Sequence, residues 1–302
     1  MLDKKQALIS LTLALLVFTT GCVPNNFTFE KEFGKSGSGS AEFLNPTDLD
    51  IDKEGNLVVA DAGNTRFQVI STSGKTITTG GEFGVGKTKL QSISGIGVDK
   101  STNYVLVCDQ KGNKIVKYDL TDGSYLDTIS KNMKYPMDVA VDSHSNIYAI
   151  MSRKSEIYKF SDFGQPLGKI GGQGKAALVF PTSILIYNDV IYITDFGGKR
   201  IVKLNLDGTF IEEIKTKGEY EEMKGPSGLH IDDAGNLYVL DLGEVPVVIL
   251  SPDGKLISQV GTFGNHEGNF LYPTGVIAKS RDDVYVLDNT RNTVLNFVRK
   301  SK

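Results

Sequence analysis

One pattern recurs along most of this chain, and it leaves few folds open. From Pro46 the sequence reads Thr47-Asp48-Leu49-Asp50-Ile51-Asp52, a turn at Lys53-Glu54-Gly55-Asn56, then Leu57-Val58-Val59-Ala60-Asp61. Ala62-Gly63-Asn64-Thr65-Arg66 and a further run, Phe67-Gln68-Val69-Ile70, lead to Ser73-Gly74. Short apolar and β-branched runs broken by Gly, Asn and Asp read as antiparallel strands joined by tight turns. The second run returns at Val105 to Cys108, Ile147 to Ile150, Val190 to Ile193, Leu237 to Leu240 and Val284 to Leu287. Asp61, Asp109, Asp195, Asp241 and Asp288 follow five of the copies at once or after one residue, and Met151 takes that place in the remaining one. Prolines 46, 136, 181, 226 and 273 open the units, with Ile93 standing in once. A period of about 45 residues is that of a four-stranded propeller blade.

Six copies fill the chain. The second strands are apolar on consecutive positions, as expected where neighbouring blades cover both faces. The chain has no tryptophan, so the WD signature is absent. The last copy has a first strand (Val276 to Ala278), a second (Val284 to Leu287) and a third (Val294 to Val298), then ends at Lys302 without a fourth. The segment from Phe27 to Gly34 is a strand with no preceding partner. The expectation is an all-β, six-bladed β-propeller of four-stranded antiparallel blades over residues 27–302. Its N-terminal strand completes the last blade and closes the ring.

Ahead of it, Asp3-Lys4-Lys5 and an apolar run from Ala7 to Phe18 are too short to span a bilayer and fit a secretory leader over residues 1–21. Thr19-Thr20-Gly21-Cys22 resembles a bacterial lipobox, with Thr19 where leucine is usual. The resemblance implies cleavage between Gly21 and Cys22, acylation of Cys22, and a short tether over residues 22–26. Val23 after the cysteine, rather than Asp, implies the outer membrane in a cell that has one. With Cys22 acylated, Cys108 is left without an intramolecular partner and is expected as a buried core thiol.

The unit Pro-x-Gly/Asp-φ-x-φ-Asp-x-x-Gly-Asn-φ-φ-φ-x-Asp-x-x-Asn-x-Arg-φ, seen over Pro46 to Phe67 and less completely over Pro226 to Asp241, resembles the NHL repeat. The lead-in Phe33-Gly34 to Asn45, echoed by Phe263-Gly264 to Tyr272, is similar to that family's inter-blade segment. The resemblance implies the propeller fold and leaves function open, because such propellers include enzymes, RNA binders and protein-binding platforms. Its amidating lyases hold zinc through three histidines. This chain has only His144, His230 and His266, which fall at three unlike places in the repeat, so zinc lyase chemistry is disfavoured.

The channel offers another possibility. Two and four residues after each unit start, the side chains share one parity, which brings Asp48, Asp50, Asp138 and His230 toward the central channel. They either bond backbone and channel water or hold a hard cation such as calcium, as in lactonase-type propellers. The repeated Asp61 series is expected to accept amides of the following turn, with Arg66, Lys114 or Arg200 nearby. Asp52 to Asn56 and Asp232 to Asn236 read as hairpin turns.

The net charge is −3, and no cluster interleaves basic and aromatic residues, which argues against nucleic acid. What remains is a surface. Inter-blade loops and second-to-third-strand loops share one face, which collects Phe83, Arg153, Lys154, Phe196, Tyr220, Glu244, Phe263 and Arg291. Phe43, Phe180 and Phe270 are expected to wedge between blades as core. The sequence therefore points to a monomeric, lipid-anchored, non-catalytic platform of the cell envelope, binding protein or glycan. The alternative is a metal-dependent hydrolase or lyase with a cation in the channel.

Overall fold

The computed structural model describes residues 26–216 and 222–300. The chain enters on β1 (Phe27–Phe33). The first blade follows with β2 (Asp48–Ile51), β3 (Leu57–Asp61), β4 (Arg66–Ile70) and β5 (Thr76–Gly80). The second holds β6 (Ile93–Asp99), β7 (Tyr104–Asp109), β8 (Lys114–Asp119) and β9 (Tyr125–Ile129). The third is β10 (Pro136–Val141), β11 (Ile147–Met151), β12 (Glu156–Phe160) and β13 (Pro166–Ile170). The fourth is β14 (Pro181–Tyr187), β15 (Val190–Asp195), β16 (Arg200–Asn205) and β17 (Phe210–Ile214). The fifth is β18 (Pro226–Ile231), β19 (Leu237–Asp241), β20 (Val247–Leu250) and β21 (Leu256–Val260). The sixth has β22 (Pro273–Ser280), β23 (Asp283–Asp288) and β24 (Thr293–Arg299), with β1 as its outermost strand.

That closure is as expected from the missing fourth strand. Phe27 pairs with Arg299 and Phe33 with Val294, with a bulge between Phe29 and Lys31. Without β1, β24 would present an unpaired edge at the seam where the ring must close.

Six apolar clusters hold the ring, one in each seam between consecutive blades. This is why the second strands are apolar without alternation: β3, β7, β11 and β19 are buried throughout, sandwiched between neighbours. Removal of that surface from water is the main driving term for such a stack. A wedge residue sits three positions before each unit start: Phe43, Leu90, Met133, Met223 and Phe270 are all buried. In the fourth blade that place belongs to Leu178, packed against its cluster. Phe180 lies two residues further on and is 46% exposed, so the expectation that it is core is corrected: its register, not its apolarity, decides.

The turns between first and second strands and between third and fourth strands share one face, called here the turn face. The second-to-third loops and inter-blade loops share the other, the loop face. On the loop face the repeated aspartates work differently from expectation. Their main partners are amides of the inter-blade loop arriving before each blade, not of the turn that follows. Asp61 takes the Leu44 amide at 2.8 Å, Asp195 those of Val179 and Phe180 at 2.8 and 3.0 Å, and Asp288 those of Leu271 and Tyr272 at 2.7 and 3.1 Å. Asp109 and Asp288 also accept from the next turn, at Gly112 and Arg291. A cation completes the clamp where the loop is long: Arg66 donates to Gly39 and Glu42 carbonyls, Lys114 to Gly86 and Lys89, Arg200 to Ala177, and Arg291 to Gly264 and His266. Carbonyls of a long loop have no strand to pair with, and these side chains supply donors to them.

Candidate functional site in the central channel

Six inner strands, β2, β6, β10, β14, β18 and β22, surround the channel, and each has an edge with no strand beside it. Their channel-side amides need acceptors. Asp48, Asp50 and Asp138 provide them in one repeated geometry. Asp48 accepts Leu49 of its own strand and Ile96 of the next blade, both at 2.8 Å. Asp50 accepts Ile51 and Val98, both at 2.7 Å. Asp138 accepts Val139 at 2.8 Å and Ile184 at 2.9 Å. In the fifth blade His230 does the same through Nδ1, which accepts the Ala278 amide at 3.3 Å. Small hydroxyls add a second ring: Ser94 donates to the Pro136 carbonyl at 2.8 Å, Thr182 to Pro226 at 3.1 Å and Thr274 to Pro46 at 3.2 Å.

The four residues that parity places in the channel thus line one cavity, of about 500 Å³, opening toward the turn face beside Lys100. A second, of about 380 Å³, opens on the loop face, and Asp48 and Asp138 border both. These carboxyls mark the waist of the channel. Burial raises Asp48 well above the ordinary carboxylate range, and the charge of Asp138 raises it further. Burial pushes Asp138 up to about 7, against the opposing pull of the Ile184 and Val139 amides. Asp50 is raised by burial and pulled back by Lys100. Burial, helped by Lys100, lowers His230 to about 3, so its imidazole is neutral and free to accept at Nδ1. Burial and mutual repulsion therefore make the protonated form of the waist carboxyls more favourable than it would be in water. Among the described residues no three His, Cys, Asp or Glu side chains converge closely enough to hold a metal ion. His144 lies in a turn-face hairpin, bonded to Ser143, and His266 lies in a loop-face segment, so the three histidines do not meet.

The loop-face mouth is the one rimmed by exposed apolar side chains. Phe180, Tyr272 and Leu242, exposed by 46, 51 and 43%, stand around it, with Phe196 packed edge-on against Phe180 at 5.9 Å. The sequence reading includes Phe196 on this face but misses Phe180, Tyr272 and Leu242. Phe180 and Tyr272 each sit immediately before a unit-opening proline, a register that carries the signal. Further out, Phe83 is 71% and Phe263 39% exposed, and Lys154 and Glu244 are exposed too. Arg153 lies over the Tyr135 ring at 3.4 Å. Arg291 is not a free surface group but a loop clamp. Tyr220, Gly21 and Cys22 lie outside the described residues. Cys108 is buried, its thiol held up by burial, as a core residue would be.

Comparison with known proteins agrees on architecture. The model of the DUF5128 family, described as a 6-bladed beta-propeller, matches residues 54–151. Over 141 residues, 46% of this chain, the sequence is 22% identical to Protein brain tumor of Drosophila melanogaster, of which the aligned part is 14%. Among solved structures, a protein of unknown function from Bacteroides thetaiotaomicron superposes with a TM-score of 0.67 at 17% identity, over 91% of this chain and 76% of that one. Virginiamycin B lyase from Staphylococcus aureus superposes with a TM-score of 0.62 at 11% identity, over 91% of this chain and 100% of the lyase. At such identities the likeness is one of fold. Strand order, seam packing and these likenesses make the chain a six-bladed β-propeller of four-stranded antiparallel blades.

Proposed function

We propose that this is a monomeric, NHL-type propeller, anchored in the cell envelope through acylated Cys22, that serves as a non-catalytic platform for a protein or glycan ligand on its loop face. One observation carries the reading. All six oxygens of Asp48, Asp50 and Asp138 accept backbone amides, three of them across a blade seam, so the channel's acidic groups are engaged in holding blades together. The exposed aromatics of the loop-face mouth have no such duty, and exposed apolar groups rimmed by polar ones mark interaction sites. Phe27 begins β1 at the turn face, which supports a membrane on that side and a loop face turned outward. A photo-crosslinker at position 272, compared with one at position 53 on the turn face, tests this in the envelope. Capture of one defined partner or glycan from position 272 alone, lost in Phe180→Ala, is the expected result. Equal capture from both faces rejects it.

A second reading has one observation in its favour, the Asp138 carboxyl carried to about 7 beside Asp48 in a 500 Å³ cavity, where a proton-transfer group would be poised. Under that reading the protein is a metal-dependent hydrolase or lyase, with calcium at the channel. Stoichiometric metal in protein purified without chelator, lost in Asp48→Asn together with turnover of lactones or esters, would establish it.

A further inference from the structure

The third blade breaks the clamp pattern twice. Where five blades end the second strand in Asp, it has Met151, and the Lys134 amide meets only the thioether, at 3.5 Å. Five positions later, where Arg66, Lys114 and Arg200 stand elsewhere, it has Glu156, which pairs with Lys169 at 2.7 Å and Lys154 at 4.0 Å and takes the Tyr158 hydroxyl at 3.1 Å. The outer strand departs as well. In register with Thr78, Asp127, Glu212 and Ser258 of other blades stands Gly168, whose Cβ would meet nothing within 4 Å. The result is a notch of about 350 Å³, walled by Lys134, Lys154 and Lys169 over buried Met151 and Tyr158. Lys131 and Arg153 adjoin its lining in sequence, and among the described residues no carboxylate lies within ion-pair distance of Lys131, Lys134 or Arg153. Three lysines thus line the notch, two of them sharing the one carboxylate of Glu156, in a chain whose net charge is −3.

We infer that this notch binds an anionic sugar unit, the carboxylate- or sulfate-bearing ring of an acidic glycan. The inference rests on the loop face being a ligand surface, and it names the ligand's class. The notch is concave and of the size of a small-molecule site, which suits one ring better than the flat face of an acidic protein. Pro166 and the open backbone at Gly168 leave room for a sugar ring at the floor of the notch, while the lysines meet its charge. Single-stranded nucleic acid needs open aromatic faces for base stacking. Here the two nearest rings are already covered, Tyr135 by Arg153 and Tyr158 by Lys169 at 5.2 Å.

The test is calorimetric titration of the mature chain, residues 22–302, with oligogalacturonate, and with a neutral malto-oligosaccharide, poly-glutamate and oligouridylate as comparison probes. Oligogalacturonate is expected to bind alone among these, more weakly as salt rises, and at least about tenfold more weakly in the Lys134→Glu/Lys154→Glu variant. Lys53→Glu, on the turn face, is expected to leave binding unchanged. All three lysines are exposed, and thermal melts check that the variants fold. Absence of oligogalacturonate binding, binding indifferent to the Lys134/Lys154 reversal, or equal binding of poly-glutamate or oligouridylate each overturns the inference. None of these touches the crosslinking result at position 272, so the platform reading stands or falls separately.

Discussion

Asp138 and Ile184 belong to adjacent blades, and the carboxylate of one accepts the backbone amide of the other at 2.9 Å across the channel wall. The same stitch joins Asp48 to Ile96 and Asp50 to Val98. An inner strand has no further strand to bond, so its channel-side amides would otherwise depend on water. A carboxyl one blade back, buried at Asp138 and half-buried at Asp48 and Asp50, takes that role, and the cost is a cluster of acids short of solvent.

That cost sets a pH dependence. Burial holds Asp48 and Asp138 above the ordinary range, so the folded protein keeps a proton that the unfolded chain releases near pH 4. Stability from this source is complete below that pH and is lost as pH rises toward about 7. Thermal melts should show stability rising by about 1–3 kcal/mol from pH 8 to pH 5.5, and Asp138→Asn should flatten the slope. Carboxylates held low, such as Asp99 and Asp142, act only at more acidic pH. An unchanged slope in the variant would refute the assignment.

The seam between second and third blades is built by the opposite device. Gly97 presses so close to the third blade that a Cβ would lie 2.3 Å from the Val139 carbonyl oxygen. Gly97→Ala should lower stability by about 3 kcal/mol, the upper range for overpacking, because a backbone oxygen cannot swing aside. A melting temperature within a degree of the parent would contradict this.

Asp195 anchors an entire inter-blade loop and pairs with Arg200 at 3.0 Å, with no exposure of its own. Asp195→Ala leaves two amides and a guanidinium short of their acceptor and should cost about 3–5 kcal/mol in chemical denaturation. Loss of less than about 1 kcal/mol would mean that the loop docks without it.

Removing β1 should be worse than any point change. A chain starting at residue 34 exposes β24 and strips Phe27 from its cluster. Such a chain should lose cooperative unfolding or associate through the bare edge, as analytical ultracentrifugation would reveal. A well-folded monomer would show that the ring closes without it.

The architecture was legible because it is repeated. Blade count, strand runs, ring closure and the four channel residues all follow from one period and from side-chain parity. What the sequence hides is whatever depends on a register counted in single residues. Phe180 is two places past the wedge position, and an aromatic there reads as core until Leu178 is seen to fill the gap. The Asp61 series reads as architectural, but its partners lie 15 to 18 residues upstream, beyond local turn chemistry. The basic notch of the third blade is not legible in the sequence, because Lys134, Lys154 and Lys169 come from three separate segments and only the fold gathers them.

The way the ring is fastened also has a mechanical meaning. Phe27 lies at the turn face, level with Arg299 at the far end of β24. A pull on the chain ahead of residue 27, directed away from that face, runs along the β1 axis. The β1–β24 ladder is then loaded in shear, its rungs sharing the force, instead of being unzipped one rung at a time. A propeller tethered by that end would resist being dragged open by the very strand that locks it.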